Sequence, residues 1–294
     1  MQKATFDPTA IRQEFDRFAQ DLATSAPAPT SRTWSFELET PSADSIRLRL
    51  QQAYRNTPAD LAILTDQNPL DLIDFCQDGS VVSQDDHECE CDCASCTYHE
   101  CDCEHCDNRN EYPDHDCGYS ECDGAGTYQE IKPTSYCEGT HPAHLGLLDY
   151  AQIDTAEIND TCGLHVHIGS ADLNARDVAN VIRVYRALAH IIEPIAGRRN
   201  ENYCQDNYAS EAHRAQFEQG ATDKYKAVNT APHFATHRPD TIEFRQHEGT
   251  NDTAEIRAWA MLMIRIVEFA KTNRTTLWLE DAQTFAQAWQ LLAV

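Results

Sequence analysis

Leu164-His165-Val166-His167-Ile168 decides how this chain is read. Residues two apart on a β-strand share a face. Leu164, Val166 and Ile168 therefore form a packing face, and His165 and His167 stand together on the other. Upstream, Trp34-Ser35-Phe36-Glu37-Leu38-Glu39 repeats the pattern, with Trp34, Phe36 and Leu38 on one side and Glu37 and Glu39 on the other. Downstream, Thr241-Ile242-Glu243-Phe244-Arg245-Gln246-His247 sets Ile242 and Phe244 against Glu243, Arg245 and His247. A shorter stretch, Tyr128-Gln129-Glu130-Ile131-Lys132, places Glu130 beside Lys132.

Any one of these strands alone reads better as an ordinary antiparallel strand with a solvated outer face. Their content argues otherwise, because solvated faces mix Thr, Ser, Lys and Gln, whereas these residues bind metals and phosphates. Brought into one sheet, they would line a common surface. Clustered carboxylates raise one another's pKa unless a cation lies between them. Several Glu with one His suits Mg²⁺ or Mn²⁺ better than Zn²⁺, and an Arg with a second His suits a polyphosphate.

The flanking segments supply the rest of the architecture. Helical spacing predicts helices over 9–24 (Ile11, Phe15, Phe18, Ala19, Leu22), 44–54, 58–65, 252–271 and 281–292. A long helix from an Asp172 cap to about Ile195 is also predicted, with Pro194 and Gly197 helping to end it. Ser25-Ala26-Pro27-Ala28-Pro29-Thr30-Ser31 reads as a linker, and Asp78-Gly79-Ser80 as a turn into a short strand at Val81-Val82. Strands and helices mix without a βαβ rhythm, which predicts an α+β fold. There is no glycine-rich phosphate loop in the sequence.

Nine of the thirteen cysteines fall between Cys89 and Cys122. Glu90-Cys91-Asp92-Cys93-Ala94-Ser95-Cys96 is echoed by Glu100-Cys101-Asp102-Cys103-Glu104-His105-Cys106. The pairs Cys93/Cys96 and Cys103/Cys106 could close one tetrahedral zinc site. Cys89, Cys91, Cys101, Cys117 and Cys122, with His87, His99, His105 and His115 nearby, leave room for a second whose ligands spacing does not identify. An iron–sulfur cluster is the alternative, but its familiar spacings are missing. Residues 83–127 are too polar to bury a core without metal. Cys76, Cys137, Cys162 and Cys204 read as small buried residues.

The chain of 294 residues carries a net charge of −25, with only Lys3, Lys132, Lys224, Lys226 and Lys271 as lysines. That balance argues against general binding to nucleic acid or anionic lipid. No apolar run is long enough to span a bilayer, and Met1-Gln2-Lys3-Ala4-Thr5-Phe6-Asp7 opens no apolar signal core. A cytoplasmic protein is expected, in which clustered cysteines point to metal rather than disulfides.

Seven pieces, in order, resemble the glutamine synthetase/glutamate–cysteine ligase superfamily, and most closely its amidoligase family. They are Phe36-Glu37-Leu38-Glu39, Asp78-Gly79-Ser80, Glu130-Ile131-Lys132-Pro133, Cys162-Gly163-Leu164-His165-Val166-His167-Ile168, Arg198-Arg199 with Tyr203-Cys204, Lys224-Tyr225 with Asn229, and Thr241 to Thr250. The resemblance covers about 32–82 and 128–270, and the Gly-Leu-His-Val-His and Glu-Phe-Arg-Gln-His runs are its specific parts. It implies a curved antiparallel sheet of glutamine-synthetase catalytic type, flanked by helices. It further implies an ATP-dependent carboxylate–amine ligase that works through an acyl phosphate, with an amino acid, peptide or protein side chain as substrate.

The resemblance also assigns roles. Glu37, His165 and Glu243 would surround one Mg²⁺ or Mn²⁺, and Glu39 and Glu130 a second. His167 and Arg245 would contact the ATP phosphates, with Lys224 and Arg198 or Arg199 as further nucleotide contacts. Glu248 is a candidate proton acceptor, although a loop acid near a helix start is the simpler reading. The expected division is an N-terminal helix and linker (1–30), a first core part (31–82), a cysteine-rich zinc-binding insertion (83–127) and a second core part (128–294). The insertion departs from the family pattern and would shape the substrate cleft or dock a protein partner. Two other functions stay open: a metal-dependent amide hydrolase, and a catalytically inactive binding protein built around the zinc module.

Overall fold

A computed structural model describes residues 7–56, 68–76, 129–197, 225–235, 240–273, 275–276 and 278–293. The cysteine-rich stretch 83–127, the Asp78-Gly79-Ser80 turn with Val81-Val82, and the expected helix at 58–65 lie outside them.

The fold is mixed α+β. Among the described residues, six strands form one antiparallel sheet: β1 (Trp34–Glu39), β2 (Ile73–Cys76), β3 (Glu130–Pro133), β4 (Gly163–Gly169), β5 (Val228–Asn229) and β6 (Thr241–Glu248), in the order β2-β3-β1-β4-β6-β5. The predicted packing faces meet on one side. Trp34, Phe36, Leu38, Ile131, Leu164, Val166, Ile168, Ile242 and Phe244 are each 0% exposed. Removing this apolar surface from water is the main force that fixes the register, since a one-residue slip would turn every core side chain outward.

Helices flank the sheet: α1 (Pro8–Thr24), α2 (Ala43–Asn56), α3 (Ala143–Tyr150), α4 (Ala175–Ala187), α5 (Ala189–Ala196), α7 (Thr253–Thr272) and α8 (Phe285–Leu291), with the one-turn helix α6 at Ala231–Phe234. The central one is α7, which packs on β4, α1 and α4 and is buried through most of its length. Asp7 caps α1 by accepting from the N–H groups of Thr9 and Ala10, with Pro8 in the first turn. Arg12 then ties α1 to its neighbours. It donates to the Ile195 carbonyl at 2.9 Å and pairs with Glu255 of α7. No helix among the described residues is long and apolar enough to cross a membrane.

Three expectations change. The helix predicted from Asp172 to about Ile195 is two helices. The first is capped by Asn174, whose side chain accepts from Asp177 N–H while the Asp177 carboxylate accepts from Asn174 N–H. The chain breaks at Leu188 and ends α5 at Gly197, with φ +71°. Asp172 instead pairs with Arg32 at 2.6 Å and Lys271 at 2.6 Å. The last helix starts at Phe285 rather than 281, because Thr284 accepts from Gln287 N–H at 3.2 Å and stops it from extending backward. Finally, β6 does not alternate to its end. Between Leu164 and Val166 of β4, β6 advances from His247 to Phe244, so it holds one extra residue.

Candidate metal and phosphate site

The face of the sheet opposite the core gathers the acids and imidazoles. Registered pairs across the strands do this directly: Glu37 lies opposite His165, His167 opposite Glu243, and Glu39 opposite Glu130. His165 is the hub. Its Nδ1 lies 3.4 Å from Glu37 Oε2 and 3.6 Å from Glu243 Oε1, and its Nε2 lies 3.6 Å from Glu39 Oε1. His167 Nε2 lies 3.2 Å from Glu37 Oε1. Burial separates this arrangement from an ordinary solvated face, with Glu39 only 2%, His165 3% and Glu243 4% exposed. Burying carboxylates is costly unless they are paired or hold a cation.

Each group is held by a specific neighbour. Glu243 Oε2 accepts from Asn229 Nδ2 at 2.6 Å, and its Oε1 accepts from Arg245. His167 Nδ1 lies 3.5 Å from the Thr241 hydroxyl, which also hydrogen-bonds the Tyr136 phenol. Burial works against a charge on Glu37, yet His165 and His167 outweigh it and hold the carboxyl well below its ordinary range. For His167, burial would favour the neutral ring. The carboxylates of Glu37 and Glu243 prevail and raise its pKa.

One strand further out, Glu130 is engaged by Lys132 Nζ at 2.9 Å. Burial disfavours the charge on Lys132, but its hydrogen bonds to Glu130 and Cys76 overcome that and raise its pKa. Cys76 ends β2 directly opposite Glu130, and burial raises its thiol.

Six of the predicted site residues thus come together: Glu37, Glu39, His165, His167, Glu243 and Arg245. Glu130 shares the face, in the company of Lys132. Arg198, Arg199, Lys224 and the nine clustered cysteines, Cys89, Cys91, Cys93, Cys96, Cys101, Cys103, Cys106, Cys117 and Cys122, lie outside the described residues. His247 does not share the face of Glu243 and Arg245, because the bulge turns it to the core side. There it is 0% exposed, opposite Leu164, with its ring 4.7 Å from that of Trp259. Its Nδ1–H donates to the Glu248 carbonyl at 2.8 Å. Glu248 faces Arg12 at 3.7 Å and lies against Gly197, which gives it a partner among the helices. Cys137 and Cys162 are buried, as expected, whereas Cys76 is half-buried.

Sequence reasoning missed Asn229, Thr241 and Tyr136. Asn229 stands in a segment the family resemblance had marked. Nothing in the pattern around Tyr136 sets it apart.

The inner donors fit a metal. One ligand atom from each of Glu37, His165 and Glu243 lies within 4.8 Å of the other two. Two carboxylates and one imidazole suit Mg²⁺ or Mn²⁺. In the outer pair, Glu39 and Glu130, the Lys132 ammonium stands on Glu130 at 2.9 Å.

The chain matches no curated protein and no solved structure. Residues 147–221 and 198–267 match a family described as "Putative amidoligase enzyme". These residues contain β4 and β6, the strands that carry His165, His167, Glu243 and Arg245, so the similarity to that family falls on the strands at the centre of the site.

Proposed function

We propose that this protein is an ATP-dependent carboxylate–amine ligase that forms an amide through an acyl phosphate, on a sheet of the glutamine-synthetase catalytic type. The family supports amide-bond formation. The observation that carries the finer reading is the buried junction of Glu37, His165 and Glu243 with Arg245 and His167 beside it.

A carboxylate is a poor acyl donor because its leaving group would be oxide. In the proposed reaction the substrate carboxylate attacks the γ-phosphorus of ATP, the bond to the β-phosphate oxygen breaks, and ADP leaves. The amine then attacks the acyl carbon, phosphate departs, and the amine loses a proton. Glu37, His165 and Glu243 would hold Mg²⁺ or Mn²⁺. When bound, that ion neutralises charge on the phosphates and polarises the transferring group. Arg245 supplies fixed positive charge and His167 a ring N–H donor on the same face, where charge develops in the transition state. Asn229 fixes the Glu243 carboxylate, and Thr241 orients His167.

The 83–127 insertion is proposed to bind one or two Zn²⁺ and to shape the substrate cleft or dock a protein partner. Arg198, Arg199 and Lys224 are proposed nucleotide contacts, the substrate an amino acid, peptide or protein side chain, and the compartment the cytoplasm. A metal-dependent amide hydrolase would have less use for Arg245, which bonds Glu243.

The test is thermal unfolding with ADP or a non-hydrolysable ATP analogue, with and without Mn²⁺, followed by a cell-extract screen for ADP release. Stabilisation that needs nucleotide and metal together is expected. An unchanged melting temperature under all combinations refutes the proposal.

A further inference from the structure

We infer that the Lys132 ammonium takes the place of a second divalent cation, so that the carboxylate face holds one metal ion rather than two. This rests on the ligase reading above, and concerns how many ions that site takes.

The geometry comes first. Glu39 and Glu130 are cross-strand partners and would be the two anchors of an outer ion. Lys132 lies two residues along the same strand as Glu130, hence on the same face, and its Nζ is 2.9 Å from Glu130 Oε1. The Glu130 side chain is 13% exposed and that of Lys132 34%. Most of the ion pair is therefore sheltered, unlike a surface pair that water loosens. A divalent cation on Glu130 would have to displace the ammonium or sit beside it, and like charges that close repel strongly where water is scarce.

The outer position also offers a poorer donor set. The inner ion has three donors gathered within 4.8 Å. In a chain with five lysines in all, one placed on this face stands out.

The experiment counts Mn²⁺ bound per chain, by calorimetry and by the loss of free-ion paramagnetic signal, on the full protein loaded with Zn²⁺ and with ADP present. The unsubstituted protein should bind one Mn²⁺, and Glu243→Gln should abolish or weaken that binding at least tenfold. Glu130→Gln should leave both the count and the affinity of the inner ion within about twofold. Lys132→Met should admit a second Mn²⁺. Should Lys132→Met not fold, the Glu130→Gln result still decides, because loss of an ion there makes Glu130 a ligand and overturns the inference. Two Mn²⁺ on the unsubstituted protein also overturn it, while leaving the ligase reading intact. No Mn²⁺ at all overturns both.

Discussion

Glu243→Gln isolates the inner site, and its effect can be worked from the contacts. Both carboxylate oxygens of Glu243 are in use, Oε2 accepting from Asn229 and Oε1 from Arg245. Glutamine keeps one acceptor and turns an NH₂ group toward the other donor. One hydrogen bond becomes a donor–donor contact, and the charge that Arg245 faces is gone. The Glu243 side chain is 6% exposed, so water cannot easily replace the lost partner. Leaving a buried donor unsatisfied costs about 1–3 kcal/mol. At about 2 °C per kcal/mol for a chain of this size, the metal-free variant should melt roughly 2–6 °C lower. A ligand at a hundred times its Kd stabilises by about 2.7 kcal/mol, so Mn²⁺ at that level should raise the unsubstituted protein by roughly 5 °C and the variant by much less. Scanning calorimetry in chelator and in Mn²⁺ reads both effects. If the variant gains as much from Mn²⁺ as the unsubstituted protein, Glu243 holds no ion and the site reasoning fails.

The second group of predictions probes the neighbours of that site and the core beneath it. Asn229→Ala should weaken Mn²⁺ binding about 10- to 100-fold, as loss of a group orienting a metal ligand commonly does, read by calorimetric titration. Phe36→Ala, at a side chain 0% exposed, should cost about 3–5 kcal/mol in urea unfolding. Gly249→Ala would set a Cβ 2.5 Å from Cys162 Cβ and 3.0 Å from Ile158 Cγ2, and should cost about 1–3 kcal/mol by overpacking. His247 has its pKa lowered below 6.5, by burial first, with Glu255 pulling the other way. The unfolded chain then binds the proton that the native state refuses. Stability should fall as pH drops below about 6.5 until the folded pKa is reached. His247→Asn should flatten that part of the urea-midpoint profile against pH.

The strands that alternate over five or more residues were legible because burial on one side and polarity on the other leave a period of two in the sequence. Glu37, Glu39, His165, His167 and Glu243 could therefore be placed on one face before any coordinates. Short elements were not legible. The four residues of β2 and the two of β5 are too few to show a period, and the apolar 143–150 stretch that forms α3 shows little one-sidedness. The break at Leu188 also left no mark, since the apolar spacing continues through Ala187, Leu188 and Ala189 and both flanking helices bury that side. Asp172 and Asn174 are both good caps, and tertiary contact chose between them, because Arg32 and Lys271 claim Asp172. Asn229 matters through a partner fourteen residues away, and only the folded register reveals what its amide touches, whereas alternation alone sets Lys132 beside Glu130.

His247 is the instructive misreading, because its cause is also what makes the strand useful. A regular β6 would present Glu243, Arg245 and His247 on one face, with Ile242, Phe244, Gln246 and Glu248 on the other. The extra residue between Phe244 and His247 turns the end of the strand over. Glu243 and Arg245 stay on the carboxylate face. His247 moves to the core, against Trp259 and 3.7 Å from Glu255, the acid that Arg12 and Thr250 also hold. The bulge thus lets one strand serve two layers, with Glu243 and Arg245 of the carboxylate face at its first half and an anchor for α7 and α1 at its second. An insertion is a local event with no periodic trace. It follows that alternation can be trusted in β1 and β4, which pair regularly with each other from Trp34 to Leu38, and had to fail in β6, where the site meets the helices that support it.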